Sequence, residues 1–224
     1  MLVVRFPGMQ NLLLRAARNP AAAVAVASGV YWFSLRPWHL RWGATGAEVA
    51  RQWPGDELVV RPFARAVRAL TVNAPPERVW PWIMQVGRDR GGFYSYTWLE
   101  NLIGADIHNI YHLLSGLRDR QPGDTVWMAP PEKFGGMGRM VVGKVIPQRA
   151  MVLVPPMDAE RVMNDGVADG AWSFVLDPRP DRRTRFVMRS LASKPRMTDL
   201  LFWEPAHFVM ERKMMLTIKR LAEA

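Results

Sequence analysis

The stretch Val86–His108, VGRDRGGFYSYTWLENLIGADIH, decides how the rest of the chain is read. The pair Gly91-Gly92 supplies a free turn. Tyr94, Tyr96 and Trp98 follow at alternate positions, and Glu100, Asp106 and His108 add ionisable groups to the same short connection. Surface loops are ordinarily small and polar. An aromatic connection like this one is expected to be partly buried, as lid and wall of a cavity, with a short helix over Tyr94–Ile103.

On the N-terminal side, Ala66–Val72 reads as a strand that ends at Asn73-Ala74-Pro75-Pro76. Pro76 suits the first residue of a helix, where its missing N–H costs nothing. Val79, Trp82, Ile83 and Val86 then make one apolar helical stripe, with Pro81 inside it. On the C-terminal side, strands are expected at Thr125–Met128, Arg139–Ile146, Met151–Val154, Ala171–Leu176 and Thr184–Ala192. The last two form a hairpin across Pro178–Asp181. The glycines at 135, 136 and 138 lack the lysine and the strand–loop–helix context of a phosphate loop. The chain closes with a Met-rich helix that begins at Glu204-Pro205. At about 100° per residue, Phe208, Met210, Met214, Met215, Ile218 and Leu221 share one arc. His207 and Glu211 fall inside that apolar arc, one turn apart, while Arg212, Lys213, Lys219 and Arg220 fall opposite.

Composition bounds the rest. Of 224 residues, 49% are hydrophobic and 22% charged, so a sizeable core is available. The absence of cysteine excludes disulfides, thiolate metal sites and cysteine nucleophiles. The net charge is +10, yet the arginines are scattered rather than clustered, which points away from nucleic acid. Residues 19–35, NPAAAVAVASGVYWFSL, carry no charge and sit at the short limit of a bilayer span. Residues 1–42 are therefore read as an N-terminal apolar segment. It is either a membrane anchor (a transmembrane helix) or a helix packed on protein, giving a membrane-associated or a cytoplasmic molecule. Residues 43–62 read as a linker and 63–224 as the folded domain.

Strand, two short helices, a run of antiparallel strands and one long closing helix is a specific order. It resembles the helix-grip fold of the SRPBCC superfamily, which includes START lipid-transfer domains and polyketide cyclase/dehydrase-like proteins. APPERVWPWIMQVGRDRGGFYSYTWLENLIGADIH (74–108), DGAWSFVLDP (169–178) and EPAHFVMERKMMLTIKRLAE (204–223) are similar to runs in a bacterial subgroup, mostly without assigned function. The resemblance implies an α+β helix-grip fold: a curved antiparallel sheet, two short helices and a long C-terminal helix over a cavity, preceded by an N-terminal apolar helix. It implies no shared catalytic residues.

In such a fold His207 and Glu211 look into the cavity, where they serve as acid–base pair or as a structural pair. Asp106 and His108 form a second catalytic candidate, against a plain capping role. A metal site from His108, His112 and Asp106 or Glu211 lacks any recognised zinc spacing, so no metal and no cofactor are expected. Trp82, Tyr94, Tyr96, Trp98, Glu100, Trp172, Phe174, Met210, Met214 and Ile218 are the expected ligand-binding residues. The leading reading is a monomer that binds a hydrophobic small molecule, lipid-like or aromatic polyketide-like. The alternatives are a cyclase/dehydrase-type enzyme using polar cavity residues, and an interaction protein with a collapsed cavity.

Overall fold

A computed structural model describes residues 19–224, which divide into two compact units, one ending at His39 and one running from Leu40 to Ala224. In the first, Asn19 caps a helix at Pro20–Val30, its side chain accepting from the Ala21 N–H at 3.0 Å. That helix passes through a π turn, Tyr31–Leu35, into Arg36–Leu40. No helix among the described residues is long and apolar enough to cross a membrane, so the expected anchor lacks a spanning helix there. The part of the 1–42 segment before Asn19 lies outside the described residues.

The second unit is a helix-grip fold. Six strands, β1 (Ala64–Val72), β2 (Thr125–Trp127), β3 (Arg139–Ile146), β4 (Ala150–Val154), β5 (Gly170–Pro178) and β6 (Thr184–Ala192), form one antiparallel sheet in the order β1-β6-β5-β4-β3-β2. The β3–β4 register slips between Val142 and Lys144, a bulge of the kind that bends a strand and helps the sheet curve. The helices Pro76–Met84 and Thr97–Leu102 connect β1 to β2, and Glu204–Glu223 closes the chain. Pro76 opens its helix and Pro81 lies inside it, as the sequence implies.

Alternation sorts the side chains onto two faces. Leu70, Val72, Phe174, Leu176, Phe186 and Met188 point inward and pack with Met215 and Ile218 of the closing helix. Val67, Ala69, Ala150, Val175 and Val187 point outward, where Trp53 covers them with Ala44 and Val49. This outer cover corrects the linker reading of 43–62. Trp53 and Val59 are both 3% exposed, and each contributes roughly 1.5–3 kcal/mol by leaving water. Two glycines let the segment lie so close. A Cβ on Gly55, at φ 101°, would stand 2.4 Å from the Ser173 hydroxyl, and one on Gly43 would stand 2.1 Å from the Ala69 carbonyl oxygen. Turn-rich composition here marks close backbone approach rather than a tether.

Candidate cavity site

The register of the inner face explains why it is hollow at one end. Leu70 stands opposite Phe186, and Phe186 opposite Leu176, so that end is filled by large side chains. At the other end Ala64 faces Ala192, Ala66 faces Ser190, and Gly170 faces Ala192. These small residues leave a cavity of about 680 Å³ between sheet, lid and closing helix, within the usual range for small-molecule sites. The collapsed-cavity reading is therefore corrected: the tryptophans do not fill the space.

The lid wall comes from Phe93, Ser95, Leu99, Glu100, Ile103 and Ile107. That is the opposite alternation from the expected one. Tyr94 has a left-handed backbone, φ 56°, which breaks the extended alternation, and its side chain is fully buried in the core. Gln85 Nε2 donates to its hydroxyl at 2.6 Å, and burial pushes that phenol up to about 12. Asn109 Oδ1 accepts from the Tyr94 N–H at 2.7 Å, and Asn109 Nδ2 donates to the Ser95 carbonyl at 3.0 Å, so the lid backbone is pinned. Tyr96 packs edge-on against Trp98, which is 66% exposed. Of the expected ligand-binding set, Glu100, Trp172, Met210 and Met214 line the cavity. Trp82, Phe174 and Ile218 are buried in the core outside its lining.

The inner polar cluster is built on Glu211, 1% exposed, as the helical arc predicts. Its main partner is Arg68 of β1, an ion pair buried to 1% exposure on both sides. Trp172 Nε1 donates to Glu211 Oε1 at 2.5 Å, and Ser190 Oγ donates to the same oxygen at 3.3 Å. Burial alone would raise the Glu211 carboxyl, but Arg68, His207 and the bonds from Arg68 and Trp172 hold it below the ordinary range. His207 Nε2 lies 3.7 Å from Glu211, and its ring meets Trp172 edge-on at 5.2 Å. The imidazole keeps 39% of its surface, turned toward cavity space that is itself ringed by protein. Burial pushes its pKa down, Glu211 opposes that and Arg68 adds to it, so His207 is held neutral. Arg68 and Ser190 were not among the expected residues. The signal for Arg68 was present in the sequence, since it shares the inward period-two face of Ala66, Leu70 and Val72.

Glu100 differs from Glu211. It sits in the lid helix, 8% exposed, and its Oε2 has no hydrogen-bond partner among the described residues. Burial pushes its carboxyl up to about 7. Asp106 and His108 meet at 3.3 Å, but both are exposed and neither lines the cavity. Arg88 binds Asp106 at 2.5 Å and, with His108, holds its carboxyl low.

No family model matches the chain, and no curated protein matches it. Solved structures similar to it include protein MLL2253 from Mesorhizobium loti, at 15% identity and TM-score 0.39 over 70% of this chain and 96% of that one. The Aha1 dimer from Colwellia psychrerythraea is similar at 16% identity and TM-score 0.41 over 72% and 97%. The self-sacrificing resistance protein CalC from Micromonospora echinospora is similar at 13% identity and TM-score 0.36 over 73% and 92%. At these values the likenesses assign no ligand and no reaction.

Proposed function

We propose that the protein is an SRPBCC-type binding module that holds a hydrophobic small molecule, lipid-like or aromatic polyketide-like, in its cavity. The cavity of about 680 Å³, walled by Leu99, Ile103, Met128, Met140, Met210 and Met214, carries this reading. Methionine adapts to irregular guests. The polar groups deepest in the wall favour a binder over an acid–base enzyme. Glu211 already accepts from an arginine, an indole N–H and a hydroxyl, which hold it ionised and make it a weak base. The cyclase/dehydrase alternative rests on His207, whose neutral imidazole opens to the same space.

A guest with a dozen carbons should bind in roughly the micromolar range, from about 25 cal/mol per Å² of apolar surface less the losses of association. Titration with N-phenyl-1-naphthylamine should saturate, and native mass spectrometry of freshly purified protein should show an apolar adduct. Met214, 2% exposed yet on the cavity wall, tests the site. Met214→Trp should abolish probe binding with the melting temperature within a few degrees of wild type. An unsaturable probe together with a strongly destabilised Met214→Trp would show a packed core with no room for a guest.

A further inference from the structure

The wall of the cavity inverts the charge of the chain. Six lining residues are acidic (Glu100, Asp158, Asp169, Asp199, Glu204 and Glu211) and two are arginine (Arg65 and Arg68), in a protein of net charge +10. Several of those acids are engaged. Glu211 is held by Arg68 and Trp172, Asp158 by Arg161 and the Asp169 N–H, and Asp169 by Ser193 at 2.9 Å and by Arg161 and Lys194, each at 3.3 Å. Glu100 stands apart, with more than nine-tenths of its surface buried, a place on the cavity wall and an oxygen that accepts no hydrogen bond among the described residues. A buried carboxylate without a partner is costly, and a fold retains one where something other than the chain completes it.

Resting on the cavity-binding reading above, we infer that the guest is an apolar molecule bearing a protonated amine, and that Glu100 is the carboxylate that receives it. An anionic guest would meet no free cation at Glu100 among the described residues and would be repelled by it once ionised. A neutral alcohol supplies a hydrogen bond but no charge. An ammonium supplies both hydrogen bonds and charge, and charge-assisted bonds are the stronger kind. Burial pushes the Glu100 carboxyl up to about 7, and an ammonium beside it would bring that value down and keep the group ionised. The surrounding Leu99, Ile103 and Met210 would take the hydrocarbon body.

The test displaces N-phenyl-1-naphthylamine from the full chain at neutral pH with decylamine, decanol and decanoate, each below its micellar concentration. Decylamine should displace the probe at a concentration about tenfold or more below that of decanol, with decanoate weakest, as one charge-assisted bond implies. Glu100→Gln should bring the amine and the alcohol within about threefold of each other, while Glu57→Gln, on the outer face, should keep the wild-type preference. Equal or inverted preference in the wild type overturns the inference by itself, whether or not Glu100→Gln folds. Survival of the amine preference in a folded Glu100→Gln variant overturns the role of Glu100. If neither the probe nor any amphiphile binds the wild type, the cavity reading fails and this inference falls with it.

Discussion

Glu48 and Glu100 are two glutamates buried to nearly the same degree, 7% and 8% exposed, on opposite sides of one sheet. Outside, Glu48 takes a bidentate pair from Arg185, at 2.7 and 2.9 Å, and closes a capping box with Thr45. Burial works against its ionisation, but the bonds from Arg185 and Thr45 hold its pKa down to about 2. Inside, Glu100 has only the burial, and its pKa rises to about 7. Low exposure alone therefore does not fix the state of a buried acid; its depth and its partners do. On the outer face the chain supplies those partners itself, Arg185 from β6 and Thr45 from the covering segment. On the inner face it supplies Arg68 for Glu211 and leaves Glu100 open.

The largest effect is expected where the inner face is closed. Glu211→Leu leaves the Arg68 guanidinium buried without its carboxylate and should cost about 3–5 kcal/mol in urea unfolding. A loss below about 1 kcal/mol would mean that water reaches Arg68 and that the inner pair is no better closed than Glu100.

The two glutamates should then give opposite pH dependences. Glu100 holds its proton in the fold to about pH 7 but releases it near 4.5 when unfolded. Its contribution to stability is fully present below about 4.5 and is lost as pH rises to 7. The stability of Glu100→Gln relative to wild type should thus improve by ~3 kcal/mol between pH 4.5 and pH 8. Glu48, with a depressed pKa, contributes above 4.5 and loses that contribution as pH falls toward 2, so the deficit of Glu48→Gln should shrink in acid. Parallel pH profiles for the two variants would remove the distinction between the faces.

How much of this was legible in the sequence depended on how far each signal reached along the chain. The strands, the β5–β6 hairpin and the arc that buries Glu211 follow local periods and were readable. Arg68 lies 143 residues from Glu211, so no local pattern joins them, although a charge on an inward strand position marked it. The lid misled because Tyr94 turns the chain with a positive φ, which sends Phe93 and Ser95 to the cavity where alternation pointed to Tyr94 and Tyr96. Residues 43–62 misled because glycine and proline signal turns, and only the sheet behind Gly43 and Gly55 shows that they signal contact. The small residues at the hollow end, Ala64, Ala66, Gly170 and Ala192, carried the cavity in plain view, but their meaning needs the register that sets them side by side.

The smallest effects lie within the outer face and grade it by exposure. Asp56 receives Arg189 through two bonds, at 2.7 and 3.0 Å, where the arginine side chain is 5% exposed. Its neighbour Glu57 meets Lys144 at 2.7 Å with both side chains more than 40% exposed. The first pair is desolvated and planar, so Asp56→Asn should cost about 1–3 kcal/mol by leaving a mostly buried guanidinium short of acceptors. The second pair competes with water, side-chain entropy and salt, so Glu57→Gln should cost no more than ~0.5 kcal/mol, a loss that vanishes in 0.5 M sodium chloride. Urea titrations at low and high salt separate the two. If Glu57→Gln costs as much as Asp56→Asn and resists salt, then exposed ion pairs hold residues 43–62 as firmly as the buried arginines do, and Trp53 and Val59 are not the main hold. The close approach allowed by Gly55 would then be a consequence of that attraction, not its cause.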